Sequence, residues 1–122
     1  MKTLIAFMQL YIANTNTHNF NTVLPMLHQN AVFWFDENEY NHPATIQAAF
    51  LAAWQYIPDE VYSIKNLRWL SVHSNSATCI YEYEWKGTHN NTNMKGSGRG
   101  TNLLVKENGV WKIMHEHLSK IN

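Results

Sequence analysis

The sequence predicts an α+β roll, one sheet face covered by helices, on three observations. Helical periodicity is confined to the first half of the chain and strand patterns fill the rest. The run from Ala77 to Trp85 alternates strictly, with Ala77, Cys79, Tyr81, Tyr83 and Trp85 on one face. The chain has 122 residues, 45% of them hydrophobic, which suits a single domain with one core. An apolar, aromatic sheet face next to three helices has one economical solution, which is for the helices to cover that face.

The elements follow in order. Leu4, Ile5, Met8, Tyr11 and Ile12 recur at helical spacing and predict a first helix over Lys2 to Ala13. The same stretch loosely resembles a secretory leader, but Gln9 and Tyr11 interrupt the apolar run and no small-residue cleavage site follows. Asn19 is placed to cap a second helix through Leu27, which Pro25 keeps short. Ala31 to Phe35 is aromatic and β-branched and predicts a strand, followed by a turn at Asp36 to Asn38 and a short return over Glu39 to Asn41. His42 as N-cap and Pro43 as first residue open a third helix, whose buried face is Ile46, Phe50 and Trp54 and which Pro58 ends. Strands are expected at Val61 to His73, Ser76 to Lys86, Arg99 to Lys106 and Val110 to Leu118. The segment Gly87 to Gly98 reads as a polar hairpin loop.

The last hairpin turns at Asn108-Gly109. A two-residue turn would pair Lys106 with Trp111 and mix charged and apolar neighbours on both faces. A three-residue loop with a bulge instead pairs Val105 with Trp111, Leu103 with Ile113, Thr101 with His115 and Arg99 with His117. Register follows the buried face, which favours the bulged form. It places Arg99, Thr101, His115 and His117 together on the covered face, beside Tyr81 and Tyr83 of the neighbouring strand. A polar patch in an aromatic concavity is the composition of a small-molecule pocket.

Composition excludes several classes. Nine Lys and Arg balance nine Asp and Glu, and charged residues make up only 15%, so a basic nucleic-acid surface is not expected. No apolar run is long enough to span a membrane, and a cytoplasmic location is expected. Cys79 is the only cysteine and reads as a small core residue, so no disulfide framework is present. No Cys/His zinc pattern occurs. Gly96-Ser97-Gly98-Arg99-Gly100 lacks the strand-before, helix-after context of a phosphate loop.

The C-terminal third carries a resemblance: Gly98-Arg99-Gly100-Thr101-Asn102-Leu103-Leu104-Val105, then Asn108-Gly109-Val110-Trp111-Lys112-Ile113, then His115-Glu116-His117-Leu118-Ser119. With Tyr11-Ile12-Ala13, the strand from Ala31 and His42-Pro43-Ala44-Thr45-Ile46, the chain resembles the nuclear transport factor 2-like superfamily. Within it, the chain resembles the SnoaL-like and ketosteroid-isomerase-like domains. The resemblance implies a cone-shaped, cystatin-like roll, with a curved sheet wrapped around the helices, an internal pocket, and homodimers through the outer sheet face. It also implies that Tyr11 stands where the isomerases keep an oxyanion-stabilising tyrosine. Their general-base position falls on Phe35, with Asp36 next to it. Their second donor falls near Gly98-Arg99, where there is no acid, so ketosteroid isomerisation itself is not expected.

The candidate residues can be weighed in turn. Arg99 on a covered face needs a partner, either Asp36, Glu82 or Glu84, or an anionic ligand. His115 and His117 read as structural, as acid–base groups, or as two metal ligands still lacking a third. Asp36 reads as a turn residue or a base. Tyr11, Tyr81, Tyr83 and Trp54 read as core aromatics or as pocket lining. The expectation is a protein that binds a small, largely apolar molecule with a polar or anionic end, which Arg99, His115, His117 and Tyr11 would hold while Tyr81, Tyr83 and Trp54 line the rest and Thr101 adds a ligand contact. Any chemistry would be cofactor-free acid–base catalysis of isomerase, cyclase or dehydratase type, with His117, His115 or Asp36 carrying the proton. No metal and no organic cofactor is expected. The alternative is a non-catalytic dimeric association or ligand-sensing module, with Ile80, Leu104, Met114 and Leu118 supplying the dimer face.

Overall fold

A computed structural model describes residues 1–121 and has the expected α+β architecture. Helix α1 (Lys2–Thr15) buries Leu4, Met8, Tyr11 and Thr15, while Ile5 of the expected face is largely exposed. Helix α2 (Phe20–Val23) is capped as expected, the Asn19 side chain accepting from the Asn21 N–H at 3.1 Å. A 3-10 turn containing Pro25 (Leu24–Met26) then delivers the chain into β1 (Leu27–Phe35) and β2 (Asn38–Tyr40). Helix α3 (Pro43–Tyr56) opens with Pro43, and the ring nitrogen Nδ1 of His42 accepts from the Ala44 N–H at 3.1 Å. Its buried face is Ile46, Phe50 and Trp54, as the spacing predicts. Strands β3 (Val61–Val72), β4 (Ser76–His89), β5 (Thr92–Glu107) and β6 (Val110–Lys120) complete the chain. Among the described residues no helix is long and apolar enough to cross a membrane.

The six strands form one sheet in the order β2-β1-β6-β5-β4-β3. All neighbours are antiparallel except β1 and β6, which run parallel and are joined by the long crossover of β2, α3, β3, β4 and β5. Pairing shifts interrupt β3–β4, β1–β6 and β5–β6, and such bulges bend a sheet. The core fills the space between the concave face and the helices.

Two expectations are corrected here. The segment Gly87 to Gly98 is paired strand rather than loop: β4 and β5 continue to His89 and Thr92. The turn is Asn90-Asn91, both with positive φ (49° and 66°), which a two-residue turn of this hand requires and asparagine tolerates. The last hairpin also has a two-residue turn, with Asn108 and Gly109 at φ 52° and 77°, pairing Glu107 with Val110 and Leu104 with Ile113. The bulge lies further along, where Leu103 pairs with His115 and Met114 is the extra residue.

These two turns decide which residues face inward. The Asn90-Asn91 turn sets Tyr81 opposite Gly100, Tyr83 opposite Gly98 and Trp85 opposite Gly96. The three rings lie across β5 in the space left by its missing side chains. A Cβ on Gly100 would overlap the Tyr81 ring, and one on Gly98 would overlap both the Tyr83 ring and the Ser119 carbonyl oxygen. Because paired residues share a face, the inner residues of β5 are Gly98, Gly100, Asn102 and Leu104, and the odd-numbered residues point outward. Gly98→Ala should therefore destabilise the protein by about 2 kcal/mol, a typical overpacking cost. Urea denaturation should show a lower midpoint at unchanged slope; an unchanged midpoint would contradict the packing described.

Candidate functional site

The β4–β5 register turns Gly98, Gly100 and Asn102 inward, and the Met114 bulge brings Glu116 opposite Asn102 and so inward as well. One row across the sheet reads Cys79, Asn102, Glu116, Phe33, and the next reads Tyr81, Gly100, Leu118, Phe35. Glu116 is therefore set in the concave face between a buried amide and a buried phenyl ring. It is 2% exposed, and Asn102 is fully buried.

A carboxyl in that position needs donors. Asn102 Nδ2 donates to Glu116 Oε1 at 3.2 Å. The Tyr81 hydroxyl gives its proton to Asn102 Oδ1 at 2.7 Å and has Glu116 Oε1 as a longer acceptor at 3.4 Å. The Tyr11 hydroxyl, from α1, also faces the carboxyl. Burial raises the Glu116 carboxyl to about 7, against the opposing pull of the Tyr11, Asn102 and Tyr81 contacts. Burial first, and the Glu116 charge second, hold the hydroxyls of Tyr11, Tyr62 and Tyr81 well above the ordinary tyrosine range, so all three remain donors.

Glu116 lies on the wall of a cavity of about 470 Å³ between the sheet and the helices. Phe35, Phe50, Trp54, Tyr62, Tyr83 and Trp85 supply its aromatic surfaces, and Ala49 and Ala53 of α3 keep it open. Tyr62 is fixed by Asn16, just past the end of α1, whose side chain accepts from the Tyr62 N–H at 2.8 Å and donates to its carbonyl at 2.7 Å. The Tyr62 ring stacks on Tyr83, and its hydroxyl is buried without a hydrogen-bond partner. Two further acids reach the cavity. Glu60 is raised by burial to about 7. Asp36, at φ 54°, accepts from the Lys120 N–H at 2.9 Å.

The structure divides the residues singled out by sequence. Tyr11, Tyr83, Trp54 and Asp36 line the cavity, and Tyr81 stands behind it as a hydrogen-bond partner of Asn102 and Glu116. Arg99, Thr101, His115 and His117 do group on one face, but it is the outer one, a correction to the expected covered patch. Arg99 is exposed, opposite Glu82 and Ser119. Thr101 pairs with His117. His115 donates from Nδ1 to the Val32 carbonyl at 2.6 Å, and both histidines pack edge-on against Trp34. The physical reason is twofold: with Tyr81 over Gly100, an odd-numbered β5 residue cannot share a face with Tyr81, and the Met114 bulge pairs His115 with Leu103 and His117 with Thr101, on that same outer face. The dimer face expected from Ile80, Leu104, Met114 and Leu118 changes for the same reason, since Leu104 is in the core and Leu118 lines the cavity. No group of three or more His, Cys, Asp or Glu placed to hold a metal occurs among the described residues.

Comparison with known proteins agrees with this architecture. The sequence model of the SnoaL-like domain matches residues 4–122, and the chain belongs to that family. No curated protein matches the sequence. Among solved structures, a nuclear transport factor 2-like superfamily protein from Salmonella enterica serovar Typhimurium superposes with a TM-score of 0.89 at 12% identity, covering 99% of this chain and 90% of that one. An uncharacterised protein with a cystatin-like fold from Caulobacter vibrioides gives 0.83 at 18% identity, covering 98% and 87%. The β subunit of benzoate 1,2-dioxygenase from Burkholderia mallei gives 0.81 at 15% identity, covering 100% and 91%. These likenesses establish the nuclear transport factor 2-like, cystatin-like fold.

The Glu116 environment fixes a pH dependence. The native carboxyl titrates near 7 and the unfolded one near 4.5. Between those values the native state holds more protons, so stability is full below about 4.5 and falls as pH rises through 7. The contribution is on the order of 3 kcal/mol. Urea denaturation from pH 4 to pH 8 should show that Glu116→Gln removes this part of the decline; equal declines in both proteins would contradict the burial described. Arg99→Ala, on the exposed face, should change stability by no more than about 0.5 kcal/mol, and a larger loss in the same assay would place that side chain in a structural pair.

Proposed function

We propose that the protein binds a small, largely apolar molecule in the concave cavity and that Glu116 exchanges a proton with it. The observation that carries this reading is a buried carboxyl, facing tyrosine donors, on the wall of an aromatic cavity. A group raised to about 7 is divided between its two protonation states at neutral pH. That is the condition under which one side chain takes up and returns a proton most readily. The aromatic walls supply apolar contact and exclude water, which strengthens the polar interactions at Glu116.

The residues divide the work. Tyr11 and Asn102 hold the carboxyl, and Tyr81 orients Asn102. Tyr62, with no partner of its own, offers a hydroxyl to the bound molecule. Trp54, Tyr83 and Phe35 fix its plane. Chemistry of this kind is general acid–base catalysis of isomerase or lyase type and needs no organic cofactor. His115 and His117, the earlier candidates for proton carrier, pack against Trp34 on the opposite face, and the role passes to Glu116.

The experiment is a thermal-shift screen of naphthyl compounds bearing one polar end, run beside Ala49→Trp, which fills the cavity. At least one compound should raise the melting temperature of the wild type and leave Ala49→Trp unmoved. For that compound, affinity should change with pH around 7 in the wild type and change less there in Glu116→Gln, where Glu60 alone still titrates. If no compound binds, or if Ala49→Trp responds like the wild type, the cavity is not a binding site.

A further inference from the structure

The polar groups of the cavity have one sign. Glu116, Glu60 and Asp36 all reach it, from β6, the segment before β3 and the turn after β1. Among the described residues, no Lys, Arg or His lines it. The two salt bridges of the described residues, His28–Glu107 and Lys65–Glu84, use none of these three acids. Overall the chain is neutral, so the acids of the cavity are balanced by bases placed outside it. The titratable neighbours are Tyr11 on α1, Tyr56 on α3, on which His89 stacks, Tyr62 on β3 and Tyr83 on β4, with Tyr81 behind the wall. Outside the lining, His18 stacks on Trp54 and binds the Glu60 carbonyl oxygen through Nε2, and Asp59 is anchored to Thr88.

Resting on the reading that the cavity holds a small molecule, we infer that the polar end of that molecule is a cationic nitrogen: the ligand is an apolar or aromatic amine or a quaternary ammonium compound. Three observations converge on this class. Carboxyl groups without cationic partners attract a cation and repel an anion, which replaces the anionic end expected when Arg99 was placed inside. The walls are aromatic, with Trp54, Tyr83 and Trp85 among the lining, and aromatic rings attract ammonium groups. The Tyr62 hydroxyl is buried without a partner and feels the charges of both Glu116 and Glu60. It can accept from an N–H of a protonated amine lodged between those two acids.

A bound cation favours the ionised carboxyls. Binding therefore releases protons, and affinity for the cation rises with pH as Glu116 and Glu60 ionise.

Isothermal titration calorimetry with naphthylmethylamine, naphthylmethanol and naphthoate separates the possibilities. The amine should bind at least about tenfold more tightly than the alcohol at pH 7.5, a difference of 1.4 kcal/mol, and the naphthoate least. The amine's advantage should shrink at pH 5.5. Glu60→Gln, a change at a half-buried position, should weaken the amine about tenfold and so narrow its advantage over the alcohol. If the alcohol or naphthoate binds as tightly as the amine, the cationic assignment is wrong and the cavity remains a binding site. If none of the three binds, the assignment falls together with the proposed function.

Discussion

The pairing of β4 with β5 is the constraint on which the rest of this molecule depends. Tyr81, Tyr83 and Trp85 are too large to stand side by side on a concave face with full-sized neighbours. They lie flat because Gly100, Gly98 and Gly96 occupy the opposite positions on β5. That register fixes the parity of β5, and β5 fixes β6 through the Asn108-Gly109 turn and the Met114 bulge. Arg99 is outside as a consequence of where three glycines fall, and Glu116 is inside because the Met114 bulge then shifts β6 by one residue.

Setting a carboxyl into the core face works against stability, and the surroundings show how the fold contains that cost. The Asn102 side chain is used at both ends, its oxygen taking the Tyr81 proton and its nitrogen donating to Glu116. Tyr11 contributes from the helix layer. The contacts lower the carboxyl's proton affinity but do not overcome burial, which leaves it near 7. A protein optimised only for stability would carry leucine in that row, as it carries Leu104 and Ile113 in an adjacent one. A polar network in a core is stabilising only when every member is satisfied. Here the Tyr62 hydroxyl is not satisfied, and it faces the same cavity.

Much of the fold was legible in the sequence because its signals are local. The Asn19 and His42 caps, Pro43 at a helix start, the Ile46-Phe50-Trp54 face and the alternation of β4 each depend on a few neighbouring residues. The site depended on registers between strands, which local patterns do not fix. One signal was present: Asn90-Asn91 as a two-residue turn places Tyr81 opposite Gly100 and Tyr83 opposite Gly98, and the alternating glycines then make sense as space for rings. Reading Gly87 to Gly98 as a loop hides that signal, and a bulged three-residue turn at the last hairpin then turns Arg99 inward. The bulge at Met114 had no such signal. Without it, a two-residue turn at Asn108-Gly109 puts His115 and His117 on the inner face and Glu116 outside. Tyr11, Trp54, Tyr83 and Asp36 were found because helix faces and aromatic strands are legible without register.

The central claim is that Glu116 is a buried carboxyl shared between its protonated and ionised forms near neutrality. Carbon-13 NMR of the side-chain carboxyl, assigned by comparison with Glu116→Gln, reads this directly. The account predicts that the Glu116 resonance titrates with a midpoint near 7, well above the ordinary glutamate value of 4.5. A midpoint at or below 4.5 would show a solvated or ion-paired carboxylate and would contradict both the register that buries it and the function assigned to it.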